Sequence, residues 1–346
     1  MRRAAALGAS MIPGASAQAR WIRAEPRRDI PAPILERILH AAFPGRRLLA
    51  SEPLGDGLRN SNFKLYLDPV PEPVVLRIYE HDRSLCRKEI DLMRLVGAAV
   101  PVPEVIYAEV LGWEDLPPFT LARWVEGVAF RDLKRSGDAE ALAQAAQAAG
   151  GILAAIGRFK FAKPGWLAHG QTVAAPLPLG RDSLPAFVGL CLASENLQRR
   201  VPAELRDRTQ ALVGSHAPLY AGLDGEASLV HGDFNKRNLL VRQAGGRWTV
   251  AAVLDWEFAV SGSPLADLGH FLRYERAERP VAEPHFSAGY VRAGGRLPHD
   301  WRRLARWVDL AAHCESLTLD QLPDSVVTEL VELVRATIEN RDPHCA

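Results

Sequence analysis

Asp233, Asn238 and Asp255 are the residues of this chain whose types and spacing suit chemistry. They lie in Leu229-Val230-His231-Gly232-Asp233-Phe234-Asn235-Lys236-Arg237-Asn238 and in Val253-Leu254-Asp255-Trp256-Glu257. The chemistry is magnesium-assisted transfer of a γ-phosphoryl group. Mg²⁺ is a hard cation that keeps several waters, so one carboxylate and one amide oxygen, with a nucleotide's phosphates, complete an octahedral shell. Asp255 and Asn238 supply that pair, and Asp233 is left to orient a substrate hydroxyl and accept its proton. The bland alternative is that each is a turn residue bonding its own backbone. Lys236, near the proposed base, either touches the γ-phosphate or is simply solvated. His231 follows an apolar strand and braces the loop, with Asp267 as its support.

A β-hairpin must position these groups. Two short apolar runs, 238–241 and 250–254, flank Gly245-Gly246, which is the pattern of two strands and a tight turn. Asp233 and Asn238 then sit on the loop before the first strand and Asp255 at the exit of the second, so all three face the hairpin's mouth. Upstream, apolar residues at helical spacing over 34–43 predict a helix stopped by Pro44-Gly45. Strands are expected at 48–54, 63–67, 74–79, 105–107 and from 119. In the turn between the first two, Gly55 and Gly57 would let the backbone approach a triphosphate, and Ser61 could donate to its oxygens. Gly-Asp-Gly is also a common hairpin turn.

The catalytic stretch resembles the aminoglycoside phosphotransferase and choline kinase family, whose loop reads His-Gly-Asp-x-x-x-x-Asn with a later metal Asp. His231, Gly232, Asp233 and Asn238 match it, and Asp255 follows at a hairpin's distance. Protein kinases read His-Arg-Asp, then Asp-Phe-Gly and Ala-Pro-Glu. This chain has Gly232, Asp255-Trp256-Glu257 and no Ala-Pro-Glu, which disfavours a protein substrate. The resemblance covers 51–340. It implies an α+β, two-lobed, protein-kinase-like fold: a nucleotide-binding lobe with an antiparallel β-sheet over 29–123, and a larger helical lobe over 124–346 carrying the catalytic loop and substrate helices.

The same resemblance implies ATP (or GTP) and Mg²⁺ as cofactors, and as acceptor a hydroxyl of an aminoglycoside-like antibiotic, an amino alcohol or a sugar-like molecule. Gly57, Asn60 and Asn62 fill the family's nucleotide-positioning loop. Arg77 stands where the kinase fold has a strand Lys; its guanidinium can bind phosphate with a different reach. Glu89, in a helix expected over 84–96, is the matching acid, with a surface ion pair as the alternative. The base is expected against backbone groups near Ala122 to Trp124, core packing being the other use for Trp124. Intact Asp233, Asn238 and Asp255 argue against a silent nucleotide-binding pseudokinase, and Arg77 leaves that reading open.

Composition bounds the rest. In 346 residues, 42 Lys and Arg face 41 Asp and Glu, so no cationic excess is available for nucleic acid phosphates. Cys86, Cys191, Cys314 and Cys345 form no Cys-x-x-Cys pair and read as reduced thiols of a cytoplasmic protein. No apolar run is long enough for a membrane span. Residues 1–28 imitate a secretory signal poorly, since Gly8, Ser10 and Pro13 interrupt the apolar core; they read as a disordered extension or a start annotated too far upstream.

From 138 to 161 the chain predicts an Ala-rich helix, and 164–185 a Gly- and Pro-rich loop. Helices are expected at 184–200, 204–220, 266–276, 284–293, 301–319 and 325–340. Acceptor identity is left open here. Glu275, Glu278, Glu283, Glu315 and Asp320 could meet a polycation, Tyr274, Phe286, Tyr290, Trp301 and Trp307 a choline-like cation, and Arg273, Arg276 and Arg279 an anion. Oligomeric state is likewise open.

Overall fold

In the computed structural model, the described residues are 29–55, 60–69, 72–177, 181–275 and 279–339. The N-terminal extension and Gly57 therefore lie outside them. Helix α1 (Ala32–Ala42) buries Leu35, Ile38 and Leu39 on one stripe. It covers a five-stranded antiparallel sheet of β1 (Arg47–Pro53), β2 (Ser61–Asp68), β3 (Val74–Ile78), β4 (Val105–Glu109) and β5 (Phe119–Arg123). The strand order is β1-β2-β3-β5-β4.

The period-two alternation of a strand decides what this sheet presents. Val74, Leu76 and Ile78 point into the core with Phe63, Leu65 and Leu67, so Arg77 falls on the other face. Helix α2 (Ser84–Val96) lies on that face and brings Glu89 to Arg77.

The rest of the chain is mainly helical around one large apolar cluster. It opens with β6 (Val128–Ala129), α3 (Phe130–Arg135) and α4 (Ala139–Ile156), whose first turn is capped by the Asp138 carboxylate accepting from Ala141 N. Gly150 of α4 lets a later helix cross closely: a Cβ there would lie 2.0 Å from Phe286 O.

The loop expected over 164–185 instead holds β7 (Gly165–Leu167) and β8 (Val173–Ala175); strands of three residues are too short to show a period. The helix expected over 184–200 divides into α5 (Ser183–Leu192) and α6 (Glu195–Arg200), because Ser194 caps the second by accepting from Leu197 N. Helices α7 (Ala203–Ser215) and α8 (Ala217–Tyr220) follow.

Two strand pairs then hold the segments 231–238 and 254–259. Strand β9 (Ser228–Val230) leads into 231–238, and β10 (Leu239–Ala244) leads out; β11 (Arg247–Val253) leads into 254–259, and β12 (Val260–Gly262) leads out. β9 pairs with β12 and β10 with β11, all antiparallel. Both loops are thus clamped side by side at each end. Helices α9 (Leu265–Leu272), α10 (His285–Arg292), α11 (Trp301–Ser316) and α12 (Asp324–Ile338) complete the lobe.

Candidate active site

The catalytic loop is built on hydrogen bonds from its own backbone. Asp267, buried in the first turn of α9, accepts from His231 N at 2.7 Å and Gly232 N at 2.9 Å. Burial pushes its carboxyl up to about 7, against the pull of these amides. Asp267 therefore supports the loop through main-chain amides, while the His231 ring bonds elsewhere. Its Nε2 is 3.0 Å from Leu254 O and its Nδ1 accepts from Asp233 N at 3.2 Å, which makes Nε2 the donor.

Gly232 has φ +80°, and a Cβ there would lie 2.2 Å from Phe258 O. No side chain fits where the protein-kinase loop carries Arg. Gly232→Ala is expected to cost about 3 kcal/mol from left-handed strain and overlap, read as a fall in urea-denaturation free energy.

Burial lowers the His231 pKa from 6.5 to about 4. A histidine that resists protonation only when folded contributes stability fully above the unfolded value, and loses it as pH falls from 6.5 to about 4. The share is on the order of 3 kcal/mol. Thermal midpoints across this window should fall with acidification, less steeply in His231→Gln.

Asp233 is 4% exposed. Its Oδ1 accepts from Asn235 Nδ2 at 2.8 Å, and its Oδ2 from Asn238 Nδ2 at 2.7 Å. Asn238 also donates from Nδ2 to Asp233 O at 3.0 Å, so its side-chain oxygen is the end turned away from the Asp233 carboxylate. Leu254 N donates to Asn238 O at 2.8 Å, tying the Asp255 segment to the catalytic loop.

Asp255 itself is left-handed, at φ 68° and ψ 67°, a conformation that Asp and Asn tolerate better than most residues. Its carboxylate is 27% exposed. One carboxylate and one amide oxygen are a hard donor set, the kind Mg²⁺ takes.

Arg77 Nη2 reaches Asp255 Oδ1 at 2.6 Å and Glu257 Oε2 at 3.2 Å, while its Nε lies 3.2 Å from Glu89 Oε2. Glu89 also accepts from Trp256 N at 3.0 Å and from the Tyr79 hydroxyl. The expected Arg77–Glu89 pair is present within a larger cluster in which one guanidinium holds three carboxylates. Glu257, buried at 3% exposure, is the member that sequence reasoning missed. Its place two residues after the proposed metal Asp was the available signal. It accepts from Asn60 Nδ2 at 2.6 Å, and its carbonyl takes Lys88 Nζ at 2.8 Å.

Residues expected on the nucleotide side are engaged with partners inside the protein. Ser61 is fully buried and its hydroxyl donates to Glu80 Oε1 at 2.7 Å, and Asn60 is turned to Glu257. Of the loop's glycines, Gly55 is exposed with φ +53°, and a Cβ there would meet nothing within 4 Å. At the joining strand, Ala122 pairs within the sheet, and Arg123 N and Trp124 N already donate to Glu104 O at 2.9 Å and Pro73 O at 3.2 Å. Both amides are thus engaged within the protein. Trp124 is half-buried rather than core, with Lys64 Nζ 3.9 Å from its ring centroid.

Lys236 also needs correction. It is buried, not solvated, and its ammonium donates to Phe271 O at 2.6 Å and Arg273 O at 3.3 Å, with Glu275 Oε2 3.5 Å away. These are the terminal carbonyls of α9, so Lys236 caps that helix where a cation suits its negative end. The expected helix over 266–276 stops at Leu272 accordingly, with Tyr274 left-handed.

Several of the candidate acceptor residues are engaged with other groups of the protein. Glu275 meets Lys134 at 3.3 Å, Glu283 meets Arg302 at 2.8 Å, and Arg273 is paired with Asp309. Phe286 stacks on Phe271 at 3.9 Å, and Trp307 packs on His216. Arg276 and Glu278 lie outside the described residues. Cys86, Cys191 and Cys314 are free and buried, and burial raises all three thiols. No helix among the described residues is long and apolar enough to cross a membrane.

An antiparallel sheet with a strand cation paired to a helix acid, set against a helical lobe with a clamped Asp-Asn-Asp site, defines a kinase-like phosphotransferase. The model of the phosphotransferase enzyme family matches residues 51–307, and the chain belongs to that family.

Solved structures share the fold at low identity. A GDP complex of an aminoglycoside 2'-phosphotransferase-IIIa mutant aligns at TM-score 0.67 and 18% identity, covering 90% of this chain and 98% of that one. A thermostable mutant of aminoglycoside phosphotransferase APH(4)-Ia, in ternary complex with AMP-PNP and hygromycin B, aligns at TM-score 0.63 and 17% identity, covering 89% and 98%. Among curated proteins, acyl-CoA dehydrogenase family member 11 from Homo sapiens and from Pongo abelii is 48% identical over 48 residues. That match covers 14% of this chain and 6% of either relative.

Proposed function

We propose that the protein transfers the γ-phosphoryl group of ATP or GTP, with Mg²⁺, to a hydroxyl of a small molecule. The observation that carries this reading is the Asp233 carboxylate, fixed at both oxygens by Asn235 and Asn238 beside the Asp255 segment. Asp233 aligns the acceptor hydroxyl and takes its proton on a carboxylate oxygen as the bond from the acceptor oxygen to the γ-phosphorus forms and the γ-phosphorus bond to the bridging oxygen breaks, releasing the nucleoside diphosphate. Asn238 and Asp255 would hold the metal, which when bound neutralises charge on the nucleotide phosphates. Arg77, always charged, offers a guanidinium to phosphate from the sheet side. The solved neighbours whose names include AMP-PNP and GDP support a nucleotide donor, and a consumer of nucleotide fits the cytoplasm.

Among acceptors, the name of the APH(4)-Ia neighbour includes hygromycin B. The acids Glu275 and Glu283 face lysine and arginine here, an arrangement that favours a neutral or singly charged alcohol over a polycation. The test is phosphate transfer from labelled ATP and GTP to aminoglycosides, macrolides, choline, ethanolamine, homoserine and sugars. Labelling of one acceptor class by the wild type, absent in Asp233→Asn, is the expected result. Tight nucleotide binding with no labelled acceptor would favour a nucleotide-binding protein without turnover.

A further inference from the structure

We propose that His270 is a positioning residue for the catalytic carboxylate, donating from Nε2 to Asp233 Oδ1 and fixing how that carboxylate meets the acceptor. The proposal rests on the phosphotransferase reading. His270 lies in α9, three residues after Asp267, and its Nε2 is 3.3 Å from Asp233 Oδ1 with both side chains 6% exposed. One element thus holds the catalytic loop twice, by backbone through Asp267 and by side chain through His270. With Asn235 on the same oxygen and Asn238 on the other, rotation of the Asp233 carboxylate is resisted on both sides.

The surroundings of His270 show why it stays a neutral donor. Gly269 lets α11 approach α9, since a Cβ there would lie 2.5 Å from Ala305 O. The same point lies 3.4 Å from Asp309 Cβ, so α11 brings Asp309 and His313 near enough to act on the charge of His270. Buried Arg273 donates from Nε to Asp309 Oδ2 at 2.9 Å and from Nη2 to Oδ1, and His313 Nε2 is 3.3 Å from Asp309 Oδ2. The titratable groups facing His270 are therefore Asp233 and His231 from the catalytic loop, Arg273 from the end of α9, and Asp309 and His313 from α11.

Burial, then the Arg273 charge, disfavour protonation of His270, as do His313 and His231; Asp309 opposes them. A neutral imidazole carries one N–H, and a carboxylate oxygen opposite Nε2 selects the tautomer that places it there. A protonated ring would instead set a full positive charge against the base.

Two measurements test this. Nitrogen NMR of histidine-labelled wild-type protein should show His270 as the neutral Nε2–H tautomer between about pH 6 and 8, with its Nε2 resonance moved in Asp233→Asn. An Nδ1–H tautomer overturns the proposal. In phosphate transfer, His270→Gln places an amide N–H near the Nε2 position and should keep kcat within about threefold, while His270→Ala and the shorter His270→Asn should lose about ten- to a hundredfold. Nucleotide affinity should be retained in all three, which a general loss of packing would not allow. Equal loss in Gln and Ala variants overturns the His270 role alone. No transfer by wild type to any acceptor would instead remove the reading beneath it.

Discussion

Asp233→Asn is expected to lower kcat by about 10² to 10⁴, the range for removal of a positioned general base, with the affinity for magnesium-nucleotide within a few fold of wild type. Asparagine keeps the shape but replaces one acceptor oxygen by an NH₂. Since Asn235 Nδ2 and Asn238 Nδ2 each donate to a different carboxylate oxygen, one donor must face another in the variant. That adds about 1 to 3 kcal/mol of destabilisation to the chemical loss. Steady-state transfer, isothermal titration with magnesium-nucleotide and thermal melting separate the two effects. Turnover equal to wild type would sink the assignment of Asp233, whatever the melting temperature did.

For Asp255→Ala the expected loss is in binding as well as turnover. The variant deletes a proposed metal ligand and the 2.6 Å partner of Arg77, and it places alanine at φ 68°, where a Cβ without a local polar partner is strained by about 1 to 2 kcal/mol. Asp255→Asn is the control, because asparagine tolerates that conformation while removing the charge. Magnesium-nucleotide affinity should fall by about ten- to a hundredfold in both variants. Thermal stability should fall more in the alanine variant. If affinity survives in Asp255→Asn with its magnesium dependence unchanged, the metal is held by another group, and Glu257 becomes the first to test.

Much of the fold was legible because its signals are local. The 84–96 helix appeared over Ser84–Val96 as its apolar spacing required, and the Gly245-Gly246 hairpin formed between Leu239–Ala244 and Arg247–Val253. The strands of three residues were illegible, since Gly165–Leu167 and Val260–Gly262 complete no period: Val260–Gly262 pairs with β9, and Gly165–Leu167 pairs in turn with Val260–Gly262. Helix ends were misread where a distant side chain decides them. Lys236 takes the carbonyls of Phe271 and Arg273 and closes α9 early, although those residues stand 35 and 37 positions downstream.

Residue types and turn signals alone were enough to propose the chemistry, an acid for a hydroxyl with an amide and an acid for a hard metal, and to place the hairpin, because they need no partner. Which donors each group keeps came from the packing of distant segments. It turned Asn60 and Ser61 toward Glu257 and Glu80, made Lys236 a helix cap, gave Arg77 three carboxylates in place of one, and set His270 against Asp233. The physical reason is that a buried polar group must find a partner within hydrogen-bond reach. That partner is chosen by packing between segments far apart in the chain, which residue spacing cannot encode.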